Sequence, residues 1–220
     1  MSRIYVKICG ITLPEQAVAI SHLDVDALGF ILYPKSPRYI DPGRIASIVE
    51  SLPPFIKTVG VFVDEPVASL VESMAESRLD IAQLLGSDSE AYDRELTEAG
   101  INWIRSLRIR SSSDLEQISH YRNRYFLLDA WSKDAYGGTG QTFDWKMLEQ
   151  IHDTKKIILA GGINAENVEQ AIKDVNPYGL DISSGVETSP GVKSMELIRS
   201  LLGRIRNFEK TVSPNPTQIR

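Results

Sequence analysis

Cys9 is the only cysteine in a chain of 220 residues, and it stands where the apolar run Ile4-Tyr5-Val6-Lys7-Ile8 breaks into Gly10-Ile11-Thr12. A free cysteine inside a strand is usually a small buried hydrophobe, whereas one at the end of a strand is placed to react. One cysteine is no motif, so its chemical reading depends on company. Other strand-like runs supply it, ending in the loop Tyr33-Pro34-Lys35-Ser36-Pro37-Arg38, in Asp64, Gln83 and Asp129, in Gly161-Gly162, and in Ser183-Ser184-Gly185. Cys9 and Asp129 together suit acid–base work: an ionised thiol takes a proton from carbon while a protonated carboxyl gives one to oxygen. An unperturbed cysteine titrates near about 8.5, so a lowered pKa would favour its role as base. Lys7 shares the Cys9 side of the strand by alternation, and it either assists the thiol or forms a buried ion pair. For Asp129 the alternative is a helix cap or a loop carboxylate.

Gly161-Gly162 and Ser183-Ser184-Gly185 form a second group. Glycines let the backbone approach an anion, and successive N–H groups cradle its oxygens, so both segments read as phosphate loops. The bland alternative is that the glycines only turn the chain. Gly137-Gly138-Thr139-Gly140 lacks the Gly-Lys-Ser/Thr ending of a nucleotide phosphate loop and reads as a loop over the site. The planar fork of Arg38 suits a carboxylate, though an arginine can equally be a surface charge. His22, His120 and His152 fall in helix-like or connecting segments away from the strand ends. No serine or cysteine triad with histidine is therefore assembled, and no residues have metal-ligand spacing.

The elements that must position these groups alternate. Short apolar runs at 3–9, 26–32, 57–63, 80–85, 102–108, 125–129, 156–160 and 178–182 are separated by segments of helical length and mixed charge. Among the latter, Pro14–His22, Pro42–Leu52 and Pro66–Ser77 open with proline, which a first helical turn accepts. Asn164-Ala165-Glu166-Asn167 reads as another helix start. Strands joined by crossovers too long for hairpins make a parallel sheet, and eight such units predict a single-domain α/β fold, a parallel eight-stranded (β/α)8 TIM barrel over residues 1–208. An open doubly wound sheet is the competing architecture. Residues 209–220, with Ser213, Pro214, Asn215 and Pro216, read as a flexible C-terminal tail. In a barrel, catalytic groups come from the C-terminal strand ends, and the loops after strands seven and eight are the recurrent phosphate site.

Composition narrows the partners. Twenty-four basic residues against 29 acidic give a net charge of −5, which speaks against a nucleic-acid surface. No apolar run reaches the roughly 18 residues of a membrane helix, and the N-terminus lacks the apolar core of a signal peptide. A single cysteine excludes an internal disulfide and fits a reducing compartment, so a cytoplasmic location is expected.

These residues also carry a family likeness. Lys7-Ile8-Cys9-Gly10-Ile11-Thr12 resembles the opening signature of the phosphoribosylanthranilate isomerases of tryptophan synthesis. The likeness continues through Gly29-Phe30, Lys35-Ser36-Pro37-Arg38-Tyr39, Val59-Gly60-Val61-Phe62-Val63 and Leu128-Asp129. It runs on through Gly137-Gly138-Thr139-Gly140, Phe143-Asp144-Trp145, Ala160-Gly161-Gly162-Ile163-Asn164 and Glu166-Asn167-Val168. It closes with Asp181-Ile182-Ser183-Ser184-Gly185-Val186-Glu187 and Ser189-Pro190-Gly191, and only residues 86–125 match in pattern alone.

The resemblance implies a cofactor-free Amadori rearrangement of N-(5′-phosphoribosyl)anthranilate to the open-chain 1-deoxyribulose 5-phosphate derivative. It implies Asp129 as the acid that opens the furanose ring and Cys9 as the base that removes the C2′ proton. Arg38 would hold the anthranilate carboxylate. Gly161, Gly162, Ser183, Ser184 and Gly185 would hold the phosphate, and Lys7, Gln83, Leu85 and Asp181 would line the rest of the pocket. The expected partner is the phosphorylated small-molecule substrate, with no metal, nucleic acid or membrane, in a monomer or homodimer. Two positions depart from the family pattern: Leu85 stands where a histidine is usual, and Arg105 where a lysine is usual. Two alternatives stay open here. One is a related barrel isomerase of the histidine pathway, which uses two aspartates. The other is a relic that binds a sugar phosphate without turnover.

Overall fold

The structure is a computed structural model describing residues 3–86, 89–109, 111, 114–115, 118, 121, 125–130, 145, 148 and 156–212. Eight parallel strands close into a barrel in chain order: β1 Tyr5–Cys9, β2 Ala27–Ile31, β3 Lys57–Val63, β4 Ile81–Leu85, β5 Trp103–Ile109, β6 Tyr125–Ala130, β7 Lys156–Leu159 and β8 Gly179–Ile182. Pairing of β1 with β8 closes the ring, so the open doubly wound sheet is excluded.

The outer layer includes α1 Pro14–Ser21, α2 Pro42–Val49, α3 Val67–Ser77, α4 Glu90–Glu98, α5 Val168–Val175 and α6 Met195–Val212. Pro14 and Pro42 occupy first turns, while Pro66 stands at the cap position of α3. The side chains of Asp41 and Ser89 accept from the N–H groups of Arg44 and Tyr92, satisfying donors that a helix start leaves open. Asn164 does not cap α5 itself; its Oδ1 accepts from Glu166 and Asn167 in the turn before it.

β1, β2, β4 and β8 are buried on both faces, as parallel strands are. Ile8, Leu28, Phe30, Phe126 and Leu128 join Ile20, Ile45, Ile172 and Leu201 in one apolar layer between barrel and helices. Residues of the opposite parity face the barrel interior. At the N-terminal end of the barrel Tyr178 stacks on Tyr5 at 4.7 Å between ring centroids and meets Tyr125 edge-on at 5.2 Å. Polar groups collect at the other end.

The expected end of the barrel domain at residue 208 falls inside α6, which continues to Val212. Glu209 accepts from the Ile4 N–H at 2.5 Å and from Arg206 at 3.1 Å, which pins this last turn to the start of β1. The remainder of the expected tail, 213–220, lies outside the described residues. No helix among the described residues is long and apolar enough to cross a membrane.

Candidate active site

Register places the groups of β1. Lys7 is the Cα partner of Asp181 on β8, and Cys9 that of Gly29 on β2. Inside the barrel the Lys7 ammonium donates to Asp181 Oδ1 and to Gln83 Oε1, both at 2.8 Å, with all three residues buried. The ion pair left open by the sequence is therefore present, and it lies beside the thiol. A methyl group on Gly29 would come within 2.7 Å of Cys9 Sγ and 2.9 Å of Lys7 Cε, so only glycine leaves room for both side chains. Burial pushes the Cys9 thiol above its ordinary value; the Lys7 ammonium pulls it down, and the Asp181 carboxylate pushes it up again. Burial alone would lower Lys7, but Asp181 and Cys9 more than offset it and hold the ammonium charged. A thiol with a lowered pKa is thus not what the structure presents.

Asp129 stands on β6, reached from β1 through β8 and β7. Its Cα partner on β5 is Arg108, so the two share the barrel face that carries the mouth groups. Arg108 lines a cleft of about 280 Å³ with Asp64, Leu85, Gly86, Ser106, Leu107 and Asp114. Leu85 therefore sits at the mouth, as its alternation with Gln83 requires. Arg105, of opposite parity, points away from the interior. It pairs with Asp93 of α4 and lies 5.1 Å from the Trp103 ring centroid and 5.4 Å from that of Tyr121.

The two segments expected to hold phosphate come together. Gly161 and Gly162 have φ of 88° and 64°, a left-handed pair that side chains disfavour. After β8, Ser184–Val186 form one turn of 3₁₀ helix, and a methyl on Gly185 would lie 2.0 Å from the Ile163 carbonyl oxygen. Ser183, Ser184 and Gly185 thus stand directly against the loop after β7.

Arg38 is more deeply engaged than the sequence suggested. Its Nε donates to Glu187 Oε1 at 2.9 Å and its Nη2 to Oε2 at 2.6 Å. This internal carboxylate occupies one edge of the guanidinium; Nη1, on the other edge, has no partner among the described residues. Glu187 also accepts from Lys193 at 2.7 Å and from the Gly191 N–H at 3.2 Å. Burial alone would raise its pKa, but hydrogen bonds from Arg38 and Lys193 outweigh that and hold it below the usual range.

Glu187, Lys193 and Arg108 received no role from the sequence. Glu187 follows the serines and glycine of the loop after β8, and no motif in the sequence marks Lys193. A parity count along β5 from Ser106 would have turned Arg108 inward. His22 ends α1, while His120, His152 and Gly137-Gly138-Thr139-Gly140 lie outside the described residues.

A closed parallel barrel with glycine-rich loops packed together after β7 and β8, and titratable groups at its strand ends, has the arrangement of the phosphate-binding (β/α)8 barrel enzymes. Residues 6–204 match the sequence profile of the family described as N-(5'phosphoribosyl)anthranilate (PRA) isomerase. An N-(5'-phosphoribosyl)anthranilate isomerase of Pelobacter propionicus is 45% identical over 201 residues, covering 90% of this chain and 94% of that protein. The crystal structure of the isomerase from Thermus thermophilus superposes with a TM-score of 0.85 at 36% identity, covering 93% of this chain and 99% of that one. Another isomerase structure, at a TM-score of 0.81 and 35% identity over 93% of this chain and 99% of its own, is a complex with reduced 1-(o-carboxyphenylamino)-1-deoxyribulose 5-phosphate. The chain belongs to the phosphoribosylanthranilate isomerase family, whose members serve tryptophan biosynthesis and include a dimeric form.

Proposed function

We propose that this isomerase works by general acid–base catalysis with Asp129 as acid and Cys9 as base. Asp129 gives its proton to the furanose ring oxygen as the C1′–O bond breaks, which leaves an iminium between C1′ and the anthranilate nitrogen. The iminium acidifies C2′–H. Cys9 takes that proton, and the electron pair left behind forms the C1′–C2′ double bond of the enolamine. Transfer of the enol proton away and protonation at C1′ give the ketone, so the rearrangement consumes no net proton.

The observation that carries this reading is the Lys7 ammonium. Buried beside the thiol and held charged by Asp181, it stabilises the thiolate that burial disfavours. Glu187 grips one edge of Arg38 and thereby aims the Nη1 edge for the anthranilate carboxylate. Backbone N–H groups of Gly161, Gly162, Ser184 and Gly185 bind the phosphate, and Leu85 packs against the aromatic ring. That a related isomerase holds a reduced analogue of the product supports the same ligand class here.

The reaction is tested by adding purified protein to N-(5′-phosphoribosyl)anthranilate and following loss of the anthranilate-adduct fluorescence. Turnover to the open-chain ketone is expected. Binding without turnover would leave only a sugar-phosphate binder.

A further inference from the structure

Lys193 enters none of the steps above, yet its side chain is wholly buried next to them. It lies in the second arm of a short hairpin, β9 Glu187–Ser189 with β10 Val192–Lys193, between the loop after β8 and α6. The hairpin reaches back to the start of the chain. Thr12 Oγ1 donates to the Gly191 carbonyl at 2.7 Å, and the Gln16 amide pairs with both backbone groups of Lys193, each at 2.8 Å. So anchored, the ammonium donates to the Cys9 carbonyl at 2.5 Å, to the Ser183 carbonyl at 3.2 Å and to Glu187 Oε1 at 2.7 Å. That uses all three of its hydrogens. Each acceptor belongs to a different part of the site: the base, the phosphate loop and the carboxylate that grips Arg38. Burial lowers the Lys193 pKa, and Glu187 opposes that shift without cancelling it, so placing this ammonium here costs desolvation.

We propose that Lys193 is a positioning residue of the isomerase, whose ammonium fixes Cys9, the Ser183 loop and the Arg38–Glu187 pair relative to one another. The proposal rests on the roles given above to those three groups. Because one cation ties all three, its removal should damage rate, phosphate affinity and carboxylate affinity together.

The test is Lys193→Met, close in size but without a donor, measured beside wild type and Cys9→Ser and normalised to folded protein by circular dichroism. Misplacement of about 1 Å can cost about a hundredfold in rate, so kcat should fall about tenfold or more. KM and the dissociation constant for inorganic phosphate should each rise about threefold or more, since a displaced loop loses charge-assisted hydrogen bonds. A lysine that only stabilises the fold would leave all three values per folded molecule within about twofold of wild type. That result would overturn the proposal. Should the methionine variant fail to fold, Glu187→Gln removes the charge of one anchor and keeps its shape. Raised KM with raised phosphate dissociation would support the tie, and unchanged values would refute it. An inactive wild type, or full turnover by Cys9→Ser, would strike the catalytic reading instead. The phosphate measurement needs no turnover and reports on the tie in either case.

Discussion

Burial works against the Cys9 thiolate and the Lys7 ammonium works for it, with the net pKa above the ordinary value. On the proposed mechanism the base is the thiolate, so activity must fall as pH drops below the thiol's pKa. In a pH profile of kcat/KM the acidic limb should therefore fall about tenfold per pH unit. Lys7→Met leaves burial unopposed by that charge and should move the limb to higher pH. A limb that stays in place or moves to lower pH would remove Lys7 from the support of the thiolate. Arg38 meets a different demand. Arg38→Ala should weaken binding of product analogues bearing the aryl carboxylate by about tenfold or more, because charge-assisted pairs are the strong ones. Analogues lacking the carboxylate should bind as before, and equal weakening of both in a binding titration would mean that Arg38 holds something else. Leu85 lines the mouth and can pack on the ring but can neither donate nor accept a hydrogen bond. With both proton transfers assigned elsewhere, Leu85→His should change kcat/KM by about tenfold or less in either direction. A gain of about a thousandfold from an inert wild type would mark a degenerate isomerase instead.

At the scale of elements, the strands were legible from their apolar runs and the first helices from their prolines. Parity along a strand then decides which side chains can matter to the reaction. Arg105 stands where the family usually carries a lysine, and one step of alternation turns it outward, where Asp93 and two aromatic rings hold it. Breaking a buried charge pair costs about 3 kcal/mol or more, so Arg105→Ala should lower the urea midpoint markedly. Its kcat per folded molecule should stay within about twofold of wild type. A large fall in kcat with unchanged stability would place Arg105 in the catalytic machinery. The β9–β10 hairpin was not legible at all. Strands of three and two residues carry no periodicity, and what defines them is their antiparallel pairing, Val192 with Ser189 and Lys193 with Glu187.

At the scale of the molecule, the site exists because the barrel closes. Lys7 and Asp181 are 174 positions apart in sequence, and Lys193 and Cys9 are 184 apart, yet both pairs sit side by side once β1 hydrogen-bonds to β8. The order of strand ends told which residue types reach the mouth. It could not tell which of them partner one another, since that depends on register around a closed ring. So Cys9, Asp129 and the glycine loops could be singled out in the sequence, while the Arg38–Glu187–Lys193 network needed the structure. The proposed acid and base likewise come from separate strands of that ring, β6 and β1.

The most direct test of their division of labour is the steady-state kinetics of Cys9→Ser and Asp129→Asn. General acid–base groups act in the transition state, so each substitution should cut kcat by about a hundredfold or more with little change in KM. Turnover at the wild-type rate in either variant would contradict the assignment of that residue.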